Sequence, residues 1–524
     1  MSSRLLRLRP ALAFLAPALL APTLLALTPA RLRADELAEL LERTRAATKS
    51  SSLAAHTSGL LFHGEGEFLA VPSSWSFYLN SDGRAVERIE GRLPRAQGRD
   101  ARGWWTIDWA RAVREPIGRE RAGLELEHAL LRGELWAESC AWQRERGERS
   151  TPEEMEIVLT REDLPRRAAL WVARASALPL RLEISDIEGP TITHLEGWSE
   201  RLDFRFPTAL RTESPGGASR WTIRGVDDAP AFLVDPTERP SGAPAGTRFD
   251  PDLSAEIEIK RAPTKHLLTR ARIDGGEPRW FLLDSGAGAL VIDKKTADAL
   301  QLDAFGAIEA SGIGGRAPAR FRPAKTFEVG PLTLDAPVML ELDLSPIAPF
   351  FGVELAGILG YDVFARAVIE VDLKAPAARI HDPASFEAPS GTRWEELLLD
   401  ARIPTLRCRY EGDRDGLFRM DTGDSSTVTF HTPTVERLKL LDGRKTKSSP
   451  LGGVGGFTGG RSGKLAWFEV GGRRVEDLDA RFAQASSGPL STPEIDGNLG
   501  TALLEPFVLY FDYRSQRMGF VGRD

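Results

Sequence analysis

The sequence predicts a mainly β protein, with an N-terminal antiparallel β domain followed by two β lobes related by duplication. Three observations support this fold class. Short stretches such as LPLRLEIS (178–185) alternate apolar and polar residues with the period of a strand. A segment rich in Pro and Gly, 234–252, divides the chain. Beyond it, an ordered set of landmarks occurs twice, at a spacing of 137 to 141 residues.

Length and composition agree with several domains. The 524 residues are enough for about three domains, and a hydrophobic content of 42% can fill a core in each. The 68 basic and 75 acidic residues give a net charge of -7, with no basic block. Nucleic acid is therefore not an expected partner, because its phosphates require clustered positive charge.

Residues 1–34 have the pattern of a secretory signal. Three arginines near the N-terminus precede the apolar run 11–27, and small residues follow at Ala30 and Ala34. We expect export, so that the mature chain is periplasmic or secreted. An uncleaved membrane anchor is the alternative, since the apolar run is close to the minimum length that spans a bilayer.

Residues 35–233 form the predicted antiparallel β domain, which a helix over 34–50 (ADELAELLERTRAATKS) introduces. The stretch 178–211 resembles the folded-back strands of the bacterial lipoprotein-carrier family, whose curved sheet shelters acyl chains. The resemblance implies a lipid or other hydrophobic ligand in this domain. The many tryptophans of the domain are either core residues or the lining of such a groove. We interpret the following segment, 234–252, as a linker.

The C-terminal half repeats itself. RIDGGEPRWFLLDSG (272–286) aligns without a gap on RYEGDRDGLFRMDTG (409–423). In both copies a Gly-rich motif follows, and FEVG begins twelve residues after that motif. In both copies an apolar element ending in Gly then precedes an Asp by twelve residues. A period this long indicates duplicated lobes, which we assign to 253–387 and 388–524.

The paired AspSerGly (284–286) and AspThrGly (421–423) triplets, each after an apolar strand, resemble the aspartic peptidases. The resemblance covers about 253–524 and is to the single-chain, two-lobed, bacterial retropepsin-like form. It implies pepsin- or retropepsin-like β-barrel lobes with pseudo-twofold symmetry and a catalytic pair, Asp284 and Asp421. Ser285 and Thr422 would bond across the lobe interface. The Gly-rich motifs would be flaps over the substrate, formed by Gly312, Ile313, Gly314, Gly315, Gly453, Val454, Gly455 and Gly456; the alternative is that they are two surface turns.

The chemistry explains why two such triplets are needed. Hydrolysis of a peptide by water requires a base for the water and an acid for the carbonyl oxygen. Two adjoining carboxyls that share one proton supply both. Gly286 and Gly423, without a Cβ, allow the turn that directs each Asp into the cleft. Asp424 has only Ala287 at the matching position and is interpreted as a turn residue, and Asn498 departs from the apolar preference of its element.

Other chemistries have less support. The seven histidines are scattered without an i, i+4 pair, so neither a metal nor a cofactor is expected. Together with the signal pattern, the resemblance to the aspartic peptidases implies an exported aspartic endopeptidase that acts on peptides or proteins as a monomer. The alternative is a non-catalytic periplasmic protein that binds lipid or peptide and carries a degenerate peptidase module.

Overall fold

The computed structural model describes residues 29–50, 59–80, 82–186, 189–230, 232 and 234–523. The predicted signal segment lies mainly outside these residues, and the first helix begins at Pro29. The described chain is mainly β. Within the described ranges, no helix combines the length and the apolar character needed to span a bilayer.

The described residues of the N-terminal domain include two α-helices and twelve strands: α1 (Pro29–Thr48), β1 (Leu60–Phe68), β2 (Val71–Leu79), β3 (Ala85–Gly91), β4 (Arg95–Asp100), β5 (Gly103–Ile107), α2 (Gly118–Leu131), β6 (Gln143–Arg146), β7 (Glu154–Arg161), β8 (Leu164–Ala173), β9 (Pro179–Ile184), β10 (Thr191–Arg201), β11 (Phe204–Ser214) and β12 (Gly217–Asp228). The strands form one antiparallel sheet in the order β5-β4-β3-β2-β1-β12-β11-β10-β9-β8-β7-β6. Helix α1 packs against β6 and β11, and α2 packs against β8.

Helix α2 is not predicted from the sequence, which indicates a single helix in this domain. The segment alternates Leu124, Glu125, Leu126 and Glu127, and this pattern has the period of a strand. The helix buries residues on more than one side, so it lacks the polar face that identifies an amphipathic helix. Its buried residues are Ala122, Gly123, Leu124, Leu126, His128, Ala129 and Leu130.

The region predicted as the first lobe (253–387), called the first lobe below, and the segment before it contain β13 (Thr247–Phe249), β14 (Glu256–Ile257), β15 (Ile259–Arg261), β16 (Leu267–Ile273), β17 (Arg279–Leu283), β18 (Val291–Asp293), α3 (Lys294–Ala299), β19 (Phe305–Gly312), β20 (Gly315–Pro323), β21 (Thr326–Val329), β22 (Leu332–Asp335), β23 (Val338–Leu342), β24 (Leu355–Leu359), α4 (Tyr361–Phe364), β25 (Val368–Asp372) and β26 (Ala377–His381). In the main sheet of this lobe, β17 lies parallel to β24, β24 lies antiparallel to β18, and β18 lies parallel to β23.

The region predicted as the second lobe (388–524), called the second lobe below, contains β27 (Arg393–Glu396), β28 (Leu398–Asp400), β29 (Ile403–Tyr410), β30 (Arg414–Met420), β31 (Val428–Phe430), α5 (Thr432–Arg437), β32 (Thr446–Ser448), β33 (Leu451–Gly453), β34 (Gly456–Thr458), β35 (Gly460–Val470), β36 (Arg473–Ala483), β37 (Gly497–Leu499), α6 (Thr501–Leu504), β38 (Phe507–Asp512) and β39 (Arg517–Gly522). Here β30 lies parallel to β37, β37 lies antiparallel to β31, and β31 lies parallel to β36. A six-stranded sheet, β14-β26-β25-β38-β39-β27, draws strands from both lobes.

The N-terminal domain packs closely on the rest of the chain. One apolar cluster joins Trp221 of the N-terminal sheet to Leu282 and Phe321 of the first lobe. The segment interpreted as a linker carries structure of its own, because Thr237 is buried and β13 pairs with β22. Cys140 and Cys408, one in each half, are both free thiols.

Candidate active site

Two loops that follow matching strands carry the paired acidic triplets. Asp284 comes directly after β17, and its N–H donates to the Leu359 carbonyl at 3.0 Å. Asp421 comes directly after β30, and its N–H donates to the Leu499 carbonyl at 3.0 Å. Each Asp is thus fixed by the parallel strand beside it, β24 in the first lobe and β37 in the second.

The third residue of each triplet brings the two loops together. Gly286 N–H donates to Asp284 Oδ1 at 2.8 Å, and Gly423 N–H donates to Asp421 Oδ1 at 2.9 Å. A Cβ on Gly286 would lie 2.4 Å from Asp421 Oδ1, and one on Gly423 would lie 2.6 Å from Asp284 Cγ. Each glycine therefore faces the carboxyl of the opposite loop, at a distance that excludes any side chain.

The middle residues bond across the two loops in a reciprocal pattern. Thr422 Oγ1 accepts from Ser285 N–H at 2.9 Å and donates to the Leu283 carbonyl at 3.0 Å. Ser285 Oγ accepts from Thr422 N–H at 3.1 Å and donates to the Met420 carbonyl at 2.8 Å. Both side chains are buried. The four bonds connect the two lobes directly beneath the carboxyls.

Replacing Thr422 tests these crossed bonds. Thr422→Val keeps the shape but leaves Ser285 N–H and the Leu283 carbonyl without their partner. Because a buried unpaired group costs about 1 to 3 kcal/mol, we expect a loss of about 2 to 4 kcal/mol in the free energy of unfolding, measured by urea denaturation. Thr422→Ser retains the hydroxyl and is the matched control. Equal stability of the two variants would contradict a contribution from the crossed bonds.

The electrostatics of the two carboxyls differ. Burial raises the pKa of Asp421 well above its usual range, and the negative charges of Asp284 and Asp424 raise it further. Burial also raises the pKa of Asp284, but the Gly286 N–H and the nearby His266 imidazole oppose that rise. Both side chains remain partly exposed. Such a pair can hold one proton between two carboxyls at a pH where a free Asp is ionised.

Asp424 folds back on its own loop. Its carboxylate accepts from the backbone N–H and from the hydroxyl of Ser426, both at 2.8 Å. Its carbonyl accepts from Thr501 N–H at 2.7 Å, as the Ala287 carbonyl accepts from Tyr361 N–H at 2.9 Å in the first lobe. These contacts are those of a turn residue, and the charge of Asp424 also acts on Asp421.

The apolar elements that end in Gly pack against the two loops. A Cβ on Gly360 would lie 2.4 Å from the Ala287 carbonyl oxygen, and one on Gly500 would lie 2.7 Å from the Asp424 carbonyl oxygen.

Asn498 departs from the apolar pattern for a specific reason. Its Oδ1 accepts from Nε2 of His431 at 2.9 Å, and both side chains are buried. Burial lowers the pKa of His431 to about 3, so this imidazole is neutral near pH 7.

Asn498→Leu should therefore destabilise the second lobe. The substitution removes the acceptor of a buried imidazole N–H, and we expect a loss of about 1 to 3 kcal/mol in the free energy of unfolding. The double variant His431→Phe/Asn498→Leu removes both polar groups and should recover most of the loss. Thermal and urea unfolding of the three proteins measure this, and an unaltered single variant would mean that the bond contributes nothing.

The two Gly-rich motifs form hairpin tips that contact one another. Gly312 to Gly315 turn between β19 and β20, and Gly453 to Gly456 turn between β33 and β34. Gly314 N–H donates to the Val454 carbonyl at 2.9 Å. A Cβ on Gly314 would lie 2.0 Å from the Gly456 nitrogen, so the contact is between backbones. Ile313 packs on the apolar cluster around Leu451.

Two features of the site were not anticipated from the sequence. His266, just before β16, bonds through Nε2 to the Gly423 carbonyl at 2.9 Å. Arg402 donates to the Gly288 carbonyl at 3.0 Å and pairs with Asp108 of the N-terminal domain at 3.1 Å. Neither partner could be found from a motif, because a backbone carbonyl is present at every residue. Over the described part of the chain, no group of three or more His, Cys, Asp or Glu is arranged to hold a metal ion.

A comparison with known protein families matches part of the region that carries the candidate active site. A family model described as aspartyl protease matches residues 269–363, which include Asp284 and the first hairpin tip but not Asp421. No curated protein matches the chain. The match supports an aspartic protease family for these residues, and with it a peptidase function.

Proposed function

We propose that this chain is a single-chain aspartic endopeptidase of the retropepsin-like branch, with Asp284 and Asp421 as its catalytic pair. One observation carries the proposal. The reciprocal bonds of Ser285 and Thr422 hold two acidic loops from different lobes so that each glycine faces the opposite carboxyl. A pair of unrelated turn aspartates would not need four buried bonds between the loops that carry them.

The proposed mechanism follows from the unequal surroundings of the two carboxyls. Asp421, beside the negative charges of Asp284 and Asp424, is the carboxyl that holds the shared proton. Asp284 is the ionised partner and takes a proton from the attacking water. Asp421 gives its proton to the carbonyl oxygen of the scissile peptide. The water oxygen bonds to the carbonyl carbon, and the C–N bond of the resulting tetrahedral intermediate breaks as the proton on Asp284 passes to the leaving nitrogen. One hydroxyl of the intermediate returns its proton to Asp421, so that a carboxylic acid and an amine leave and the pair holds one proton again.

The matched strand pairings of the two lobes favour a pepsin- or retropepsin-like, pseudo-twofold arrangement. The pairing order β17-β24-β18-β23 has its counterpart in β30-β37-β31-β36, with the same parallel and antiparallel relations. In this arrangement the two hairpin tips are flaps that cover the substrate.

Because both lobes belong to one chain, the proposed active form is a monomer. The signal pattern in residues 1–34 supports export to the periplasm or the medium.

The decisive experiment uses the purified chain from residue 35 onward and a peptide library between pH 3 and 8. We expect cleavage that a statine-type inhibitor blocks and that both Asp284→Asn and Asp421→Asn lower by about 10^2-fold or more. Cleavage at the rate of the parent in either variant would refute the catalytic pair. Ser426→Ala, a change on the second loop beyond the triplet, is the comparison variant for non-specific damage to the fold.

A cavity in the N-terminal domain favours the second candidate function, binding of a hydrophobic ligand. The cavity has a volume of about 220 Å3 and lies between α2 and the strands of the sheet. Its apolar lining includes Phe68, Ile89, Leu130, Leu210 and Trp221. Saturable binding of a fluorescent fatty acid by the full chain, together with no cleavage of any peptide, would favour this function over the peptidase.

A further inference from the structure

His266 belongs to the first lobe but contacts the loop of the second lobe that carries Asp421, called the second active loop below. Its Nε2 lies 2.9 Å from the Gly423 carbonyl oxygen, and its Nδ1 lies 2.8 Å from Thr264 Oγ1. The ring of the buried Phe351 lies 5.4 Å away, centroid to centroid, and restricts the imidazole on that side. The side chain is thus held between its own turn, the turn of Phe351 and the loop of Asp421.

The two partners determine where His266 carries its protons. A carbonyl oxygen can only accept, so Nε2 must carry a hydrogen and donate it to Gly423. The Thr264 hydroxyl can donate to a bare Nδ1 or accept from a protonated one. Protonation therefore takes place at Nδ1 and leaves the bond to Gly423 intact. His266 can gain or lose a positive charge without moving.

The charged residues on the loops and the turn that meet at this imidazole are mainly acidic. Asp284 lies on the first loop, Asp421 and Asp424 flank Gly423 on the second, and Lys265 adjoins His266 on its own turn. The turn that carries Phe351 adds no charge. The carboxyl of Asp284 reaches the loop that His266 contacts, because a Cβ on Gly423 would lie 2.6 Å from Asp284 Cγ. Burial raises the pKa of Asp284, and the imidazole opposes that rise.

We propose that His266 is a positioning residue of the active site: it ties the second active loop to the first lobe and places an ionisable imidazole beside Asp284. The proposal rests on the proposed peptidase function and deepens it. A protonated His266 stabilises the ionised state of Asp284, which is the state that accepts a proton from water. The bond to Gly423, which persists in both charge states, holds the opposing loop at the same position throughout.

Two substitutions separate the charge from the bond. His266→Gln can place its amide nitrogen where Nε2 stands, so it keeps a donor to Gly423 but never carries charge. His266→Leu removes both. For the Gln variant we expect the acid limb of the kcat/KM profile to move up by about one pH unit with its plateau within about threefold of the parent. For the Leu variant we expect the same shift and a plateau about tenfold or more lower. Profiles that match the parent in both variants would overturn the proposal.

A second readout does not depend on cleavage. The ring signal of His266, assigned by its loss in the Gln variant, is followed by NMR as a function of pH. In Asp284→Asn/Asp421→Asn the midpoint should fall, because the negative charge that favours the protonated imidazole is gone. An unchanged midpoint would overturn the charge linkage even if the enzyme is active. If no peptide is cleaved, the proposed function fails, while this titration still decides whether His266 and the acidic pair are linked.

His63 provides the matched control. It also has a carboxylate partner, with Nε2 3.0 Å from Asp227, but it lies on the N-terminal sheet. His63→Gln should leave both the kcat/KM profile and the His266 titration unaltered. A shift of either in this variant would mean that any histidine substitution perturbs the site, and would remove the support for His266.

Discussion

Asp421→Asn is expected to lower kcat/KM for peptide cleavage by about 10^2 to 10^4-fold, the usual contribution of a general acid or base. The variant should fold, because the Asn Oδ1 can still accept from Gly423 N–H and its amide can donate to Asp284. The loss should therefore appear in kcat/KM measured on protein whose circular dichroism matches the parent. Asp284→Asn is expected to lose activity to a similar extent, since neither carboxyl can serve as acid and base alone.

The same variant should also change how stability depends on pH. The pKa of Asp421 is raised in the folded state, so the folded chain binds more protons than the unfolded chain above about pH 4. The stabilisation is fully present below the unfolded pKa and is lost as the pH rises through the raised folded pKa. Asn does not ionise, so the Asp421→Asn variant does not lose this stabilisation as the pH rises. We expect the free energy of unfolding of the variant, minus that of the parent, to be larger at pH 7 than at pH 4. Urea unfolding at both pH values measures this difference. An equal difference at the two pH values would contradict the raised pKa.

Much of the site could be predicted because its signals are local. Asp, Ser or Thr, and Gly in sequence specify a turn whose backbone bonds to its own carboxylate, as Gly286 and Gly423 do. The duplication then supplied the partner, since one triplet alone could be any surface turn. The Gly-rich tips were recognisable for the same reason, because only glycine permits backbones to approach as closely as Gly314 and Gly456 do.

The rest depends on contacts between distant segments, and these leave no local pattern. The polar side chain of Asn498 could not be explained from the sequence, because its partner, His431, lies 67 residues away. His266 and Arg402 were missed because both bind backbone carbonyls. Helix α2 was missed because its LELE alternation imitates a strand, and the packing of the surrounding sheet overrides that pattern. Packing of the N-terminal domain on the first lobe likewise uses ordinary apolar residues, which do not reveal their partners.

Gly314→Ala is expected to reduce kcat/KM by about 10^2-fold with little change in stability. The added Cβ would lie 2.0 Å from the Gly456 nitrogen and 2.1 Å from its carbonyl carbon, so the two tips must separate. Separation breaks the 2.9 Å bond between Gly314 N–H and the Val454 carbonyl. If the tips are flaps, they then no longer close together on the substrate, and a misplacement of about 1 Å can cost about 10^2-fold in rate.

The measurement compares kcat/KM and the melting temperature of Gly314→Ala with those of Gly522→Ala. Gly522 also lacks the left-handed conformation that favours glycine, but a Cβ there meets no atom within 4 Å. Both variants therefore add one methyl group at a glycine, and only Gly314 lies at the contact between tips. Because the tips are partly exposed, the melting temperature should stay close to the parent in both. A Gly314 variant with the kcat/KM of the parent would mean that contact between the tips is not needed for catalysis, and the tips would then be surface turns that happen to touch.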